Sequence, residues 1–286
     1  MLRALYERGV SPDLIVGASV GAVNGGFIAT RPQTTVTADE LADVWREISR
    51  GEVFPLNPVT GLLGFLGARD HLVPDGSLRG LLGEHLAFDR LEQAPIPLHV
   101  IGTDAISGRE VRLSSGDALE AVMASVALPG VFPPVSWQGR QLIDGGVANN
   151  TPISDAIELG AERVYVLPTG SACDLAEPPR GVLGMLLHSM SLLVMRRLLV
   201  EVELLKDRCE LVVLPPPCPL SVSPMDFGHS DQLIELGYAG ATRHLDDFER
   251  GESPAALPMS MHADQERLAP QVRIGAEATQ RERVAS

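Results

Sequence analysis

The residues of this chain best placed to do chemistry are one serine between glycines and one aspartate before glycines. Gly17-Ala18-Ser19-Val20-Gly21 has the G-x-S-x-G spacing and follows the apolar run Leu14-Ile15-Val16. The residues after it, Ala22 to Ala29, read as a helix of small side chains. Strand, sharp turn and helix are the setting of a nucleophile elbow, where a strained backbone lifts the serine hydroxyl off the sheet edge. Gly17 and Gly21 would leave room for strand and helix to pass closely. The same pentapeptide also reads as a glycine-rich turn with an exposed serine, and the pattern alone leaves both open. Asp144-Gly145-Gly146 closes the short strand Gln141-Leu142-Ile143. An aspartate in such a tight loop commonly caps its own turn.

A Ser-His-Asp hydrolase of the G-x-S-x-G type runs Ser, Asp, His along the chain. His188 and His229 both follow Asp144. His188 sits in an apolar stretch and reads as a core residue. His229, just before the helix expected from Ser230, reads as a structural residue, with a place in a triad as the alternative. The other histidines, His71, His85, His99, His244 and His262, show no ligand spacing. Cys173, Cys209 and Cys218 form no C-x-x-C pair. No metal and no organic cofactor is therefore expected.

The elements that must position these residues alternate. Residues 2 to 9 read as the end of a helix stopped by Gly9, and Ser11-Pro12-Asp13 as the turn into the first strand. Ala38 to Ser49 carries Leu41, Val44, Trp45 and Ile48 on one helical face. Gly51 to Pro74 reads as irregular, with the apolar segment 61 to 66 as either a flap over a cleft or a buried loop. Asp75 or Ser77 can cap a helix over Leu78 to Leu86. Pro97 to Thr103 is an apolar strand with Glu110 to Leu113 beside it, and Asp117 to Ala127 is a helix. Val135-Ser136-Trp137 and Gln141-Leu142-Ile143 form a hairpin about Gln138-Gly139-Arg140. Pro152 to Leu159 is a helix, Arg163 to Leu167 a strand, Val182 to Lys206 a long helix, Leu211 to Leu214 a strand and Ser230 to Phe248 a last helix. Strands alternating with helices predict an α/β fold, a mostly parallel sheet between layers of helices. One domain over 1–250 is expected, with 251–286 as a disordered tail lacking aromatics and periodicity.

Composition narrows the partners. The chain has 286 residues, 45% hydrophobic, with a formal charge of −14. That charge argues against nucleic acid and against electrostatic docking on anionic membranes, but not against apolar contact with lipid. The single lysine is Lys206. The longest apolar run, Gly181 to Met195, is shorter than the ~20 residues of a membrane span and reads as a buried helix. With three cysteines lacking a pairing pattern, and a charged amphipathic start unlike a signal peptide, a cytoplasmic chain is expected.

Taken together, four blocks resemble the patatin-like phospholipases, in the family's order. They are Gly17-Ala18-Ser19-Val20-Gly21-Ala22-Val23-Asn24, Asp75 to Leu86, Ala124 to Pro134, and Asp144-Gly145-Gly146 with Asn149-Asn150-Thr151-Pro152. The resemblance spans roughly residues 1 to 245, the size of one α/β domain. It implies a three-layer α/β/α fold and a Ser-Asp dyad that cleaves fatty-acyl esters of lipids, peripheral to a membrane. Carried over, Ser19 is the nucleophile and Asp144 its base, with Gly17, Gly21, Gly145 and Gly146 supporting their loops. The backbone N–H of Val20 is a candidate oxyanion donor. A serine hydroxyl is a poor nucleophile until a base takes its proton. An aspartate with a pKa of about 3.9 is a weak base, which a desolvated site can strengthen. The sequence departs from the family at its start, since the family's first strand and glycine-rich oxyanion loop precede the helix in which Met1 falls. An internal methionine taken as the start would account for this. A short chain that binds acyl groups without hydrolysing them is the alternative.

Overall fold

The computed structural model describes residues 1–55, 68–169, 179, 181–217 and 227–252. The order begins α1 (Leu2–Tyr6), β1 (Ile15–Ala18), α2 (Val20–Ile28), α3 (Thr35–Glu47), α4 (Arg50–Val53) and α5 (Gly76–His85). A 3-10 turn at Leu91–Gln93 leads to β2 (Leu98–Asp104), β3 (Glu110–Leu113), α6 (Ala118–Ser125), β4 (Val135–Trp137) and β5 (Arg140–Asp144). Then come α7 (Gly146–Asn149), α8 (Ile153–Glu158), β6 (Arg163–Val166), α9 (Val182–Leu205), β7 (Glu210–Val213) and α10 (Ser230–Glu249).

Among the described residues there are two sheets, a mixed one of five strands (β1-β2-β5-β4, with β3 also on β2) and a small parallel one of β6 and β7. Where helices lie between the paired strands, as in β1–β2 and β6–β7, the strands run parallel. Short turns at 105–109 and 138–139 join the antiparallel pairs β2–β3 and β4–β5, and β5 also runs antiparallel to β2 although β3, α6 and β4 lie between them in the chain. The β4–β5 turn puts Gln138 at φ 48° and Gly139 at φ 80°, the two left-handed residues of a tight two-residue hairpin.

Along β2 the pleat sorts side chains into two layers. Leu98 and Val100 face an apolar core with Ala22 of α2, Leu78 and Leu82 of α5, Ala121 and Val122 of α6, and Leu142 of β5. Separate clusters join α1, β7 and α10 through Leu5, Val212, Leu214 and Leu245, and α8, β6 and α9 through Ile153, Val166, Met195 and Leu198.

Several local expectations are corrected. The stretch read as irregular from Gly51 opens with the single turn α4, where the Glu52 carboxylate accepts the Ser49 N–H at 2.7 Å. Asp75 precedes α5 without capping it through its side chain, because its carboxylate takes the Nε–H of Arg79 at 2.6 Å. The long helix α9 is not buried throughout. Met195 and Leu198 are buried, while Val182, Met185, Leu186, Leu193, Val200 and Leu204 are exposed, because the helix packs against α8 and the small sheet along one side only. His188 on that helix is half-buried. The segment 61–66 and nearly all of 251–286 lie outside the described residues, as do Cys173, Cys218 and His262. Among the described residues no helix is long and apolar enough to cross a membrane, and no cluster of His, Cys, Asp and Glu could hold a metal ion.

Candidate active site

Ser19 stands at the corner between β1 and α2 with φ 52° and ψ −126°. That is a conformation a residue with a Cβ rarely takes, at a cost of roughly 1–3 kcal/mol that the surroundings must offset. The corner is tight because Gly17 has no side chain: a Cβ there would lie 2.5 Å from the carbonyl oxygen of Gly21. Gly21 does not share that task, since a Cβ on it would meet open space. The helix instead approaches the strand through Gly25, whose Cβ would stand 2.9 Å from Ile15 Cγ2.

The second loop is tighter still. A Cβ on Gly145 would lie 2.0 Å from the carbonyl oxygen of Ile101. One on Gly146 would lie 2.9 Å from Asp144 Oδ1 and 2.7 Å from Asn150 Oδ1. The second glycine opens α7, one helical turn over residues to which the sequence assigned no element.

β2 brings the two corners together. Its odd-numbered backbone groups point to one edge and its even-numbered ones to the other. Pro97 C=O accepts the Ile15 N–H of β1 at 2.9 Å, and Ala105 N–H donates to Gln141 of β5 at 2.8 Å. On the opposite edge Asp104 N–H donates to Arg109, beside β3, at 2.9 Å. So β1 and β5 share a single edge of β2 and meet head to head on it. The β1 ladder ends at Ala18 opposite Ile101, and the β5 ladder ends at Asp144 opposite Gly102. Residues 125 apart in sequence thereby arrive at adjacent places on one strand.

At this junction the Ser19 hydroxyl donates to Asp144 Oδ2 at 2.7 Å. The other carboxylate oxygen, Oδ1, accepts the Gly146 N–H at 2.7 Å. Asp144 is 2% exposed. Burial pushes its carboxyl up to about 6, against the opposing pull of the Ser19 hydroxyl and the Gly146 N–H. Val20, directly after Ser19, is the first residue of α2, so its N–H has no acceptor within the helix.

Two buried hydroxyl side chains reach this corner from positions to which the motifs assign no role. Thr103 Oγ1 donates to the Asp144 carbonyl at 2.8 Å and accepts the Ala148 N–H at 3.0 Å, tying the end of β5 to α7. The Ser125 hydroxyl accepts the Ser19 N–H at 2.8 Å. Their only signal in the sequence is a hydroxyl near the end of a mostly apolar strand or helix.

Three of the described histidines have partners of their own, and His229 is the residue preceding α10. His99 meets Ser114 at 2.7 Å, His71 meets Asp70 at 2.7 Å, and His85 packs against the Phe27 ring. No imidazole stands between the Ser19 hydroxyl and the Asp144 carboxylate, which touch directly.

The model of the patatin-like phospholipases matches residues 1–157. The chain belongs to the patatin-like phospholipase family. The match runs from α1 into α8 and so includes both corners, while β6, α9, β7 and α10 lie beyond it. It accords with the three-layer α/β/α arrangement around the mixed sheet. An uncharacterized NTE family protein of Mycobacterium tuberculosis is 31% identical over 163 residues, covering 57% of this chain and 42% of that protein. Lysophospholipase NTE1 of Mycosarcoma maydis is 28% identical over 181 residues, covering 61% of this chain and 9% of that protein. Patatin-like phospholipase domain-containing protein 7 of Mus musculus is 27% identical over 266 residues, covering 83% of this chain and 19% of that protein. This patatin-like chain thus spans less than half the length of each of these relatives.

Proposed function

We propose that the protein hydrolyses fatty-acyl esters of lipids through an acyl-enzyme on Ser19, with Asp144 as the general base. The observation that carries this reading is the 2.7 Å hydrogen bond from the Ser19 hydroxyl to a carboxylate buried enough to hold its proton up to about pH 6. A carboxylate with an ordinary pKa would take the serine proton poorly, and desolvation makes this one a better base near neutral pH.

As Ser19 Oγ attacks the ester carbonyl carbon, its proton passes to Asp144 Oδ2. The negative charge that develops on the carbonyl oxygen faces the start of α2, where the Val20 N–H is a donor. Collapse breaks the bond to the alcohol oxygen, which leaves with the proton from Asp144. Water then attacks the acyl carbon, Asp144 again takes the proton, and the fatty acid is released as Ser19 recovers its hydrogen. One relative named as a lysophospholipase and another named for a patatin-like phospholipase domain support a lipid ester as the substrate class. A place at a membrane surface in the cytoplasm fits that substrate.

The test combines turnover of a p-nitrophenyl acyl ester with labelling by a fluorophosphonate, which reacts at an activated serine. The protein should hydrolyse the ester and be labelled on Ser19. Ser19→Ala and Asp144→Asn should lose both, and His229→Ala should keep both. A His229→Ala variant that is inactive beside an active Asp144→Asn would replace the dyad with a triad. No turnover and no label on Ser19 would leave a protein that binds acyl chains only.

A further inference from the structure

The β1–β2 ladder stops one hydrogen bond early. Ile15 N–H bonds the carbonyl of Pro97, and the parallel register advances so that Ser19 N–H is due to bond the carbonyl of Ile101. It does not. The hydroxyl of Ser125 lies between them, accepting from Ser19 N–H at 2.8 Å and donating to the Ile101 carbonyl at 2.6 Å. Ser125 is fully buried at the end of α6, so solvent does not share these bonds.

We infer that Ser125 is a positioning residue for the reaction, its hydroxyl wedged into the sheet to hold Ser19 out of the ladder and against Asp144. The inference rests on the dyad proposed above. Both ladder groups must be satisfied in this buried place, and leaving either unpaired costs about 1–3 kcal/mol. Direct pairing of Ser19 N–H with Ile101 would draw Ser19 toward ordinary strand geometry. That would swing its hydroxyl away from Asp144. The inserted hydroxyl satisfies both groups at a wider separation, which lets Ser19 adopt φ 52° at no loss of hydrogen bonds.

The same residue reaches the other loop through its backbone. The Ser125 carbonyl accepts the Gly145 N–H at 3.1 Å, and two residues on the Ala127 carbonyl accepts the Asp144 N–H at 2.9 Å. Removing only the side-chain oxygen therefore leaves the support of Asp144 in place and isolates the hold on Ser19.

Ser125→Ala tests this. The acylation rate, measured as fluorophosphonate labelling per folded molecule, should fall roughly 10- to 100-fold, as expected for a misplaced reacting group. KM for the ester should stay within about twofold, because the substrate site has not changed, and the midpoint of the pH dependence should move upward, because Asp144 loses the Ser19 hydroxyl that pulls its carboxyl down. Ser125→Thr, which keeps the hydroxyl, should recover most of the rate. A labelling rate for Ser125→Ala within twofold of the parent would overturn the role. A crystal structure of the variant tests the same role without any need for activity. The expected result is Ser19 at negative φ, bonded directly to Ile101, with its hydroxyl drawn off Asp144. An unmoved Ser19 at positive φ sinks the inference even if the parent is inert, whereas a parent that never labels Ser19 counts against the proposed function alone. Should Ser125→Ala not fold, the near-isosteric Ser125→Cys takes its place in both measurements.

Discussion

Replacing Asp144 by asparagine should cost the protein its chemistry and strengthen its fold. The carboxyl sits at about 6 in the folded protein against 3.8 in water, with burial as the first cause. A folded-state pKa above the unfolded one means that the folded protein holds this proton more tightly. The associated stability is then fully present below the unfolded value and is lost as pH rises through the folded one. At about 1.4 kcal/mol per pH unit, the interval from 3.8 to about 6 corresponds to about 3 kcal/mol surrendered by pH 7. Asparagine does not titrate, keeps an oxygen for the Gly146 N–H and has nearly the same volume. The Asp144→Asn variant should therefore gain on the parent progressively between about pH 4 and pH 7, by up to about 3 kcal/mol. Urea denaturation of both proteins at four pH values in that range measures the difference, and titrations common to both cancel. A difference that stays flat across the range would show that the carboxyl is not held up by burial and would remove the physical basis for Asp144 as a base.

The pH dependence of turnover carries the same sign: kcat/KM should be level above about pH 7 and fall tenfold per pH unit well below about 6, as Asp144 takes up its proton. A rate level down to pH 4 would contradict that. Gly145→Ala and Gly17→Ala should each lower stability by about 3 kcal/mol or more, since the new methyl meets backbone oxygens at 2.0 and 2.5 Å that cannot step aside. Thermal unfolding of the two variants reads this, and unfolding temperatures equal to the parent's would refute the close approach. Gln138→Asn, at φ 48° before Gly139, should raise stability by about 0.5–1 kcal/mol, because asparagine tolerates the left-handed turn better than glutamine. Denaturant midpoints check this, and a lower midpoint would count against the turn assignment.

The sequence by itself determined what depends on near neighbours. Leu14-Ile15-Val16 before Gly17-Ala18-Ser19-Val20-Gly21 specified strand, corner and helix, because alternation, β-branching and a glycine at the crossing act over a few residues. The hairpin at Gln138-Gly139 and the run of strands and helices were legible for the same reason, as was Asp144-Gly145-Gly146 as a tight loop. What failed locally also had a local cause. Asp75 looks like a cap, but whether its carboxylate turns to the backbone or to Arg79 is a choice between two nearby partners that sequence does not rank. The exposure of α9 was invisible because a run of Leu, Val and Met looks the same whether one side or all sides are covered.

Only the tertiary structure decided what depends on β2. Nothing in the residues around Ser19 says that β1 and β5 dock on one edge of the same strand and end against each other there. That head-to-head arrangement puts a hydroxyl 2.7 Å from a carboxylate 125 residues away. Burial at the junction then lifts the Asp144 carboxyl, a property of the solvent that the whole fold excludes and not of any motif. Ser125 belongs to the same class. As a serine closing a mostly apolar helix it draws no notice, and it becomes the hydroxyl between Ser19 and Ile101 only because α6 packs over the point where the ladder is due to continue.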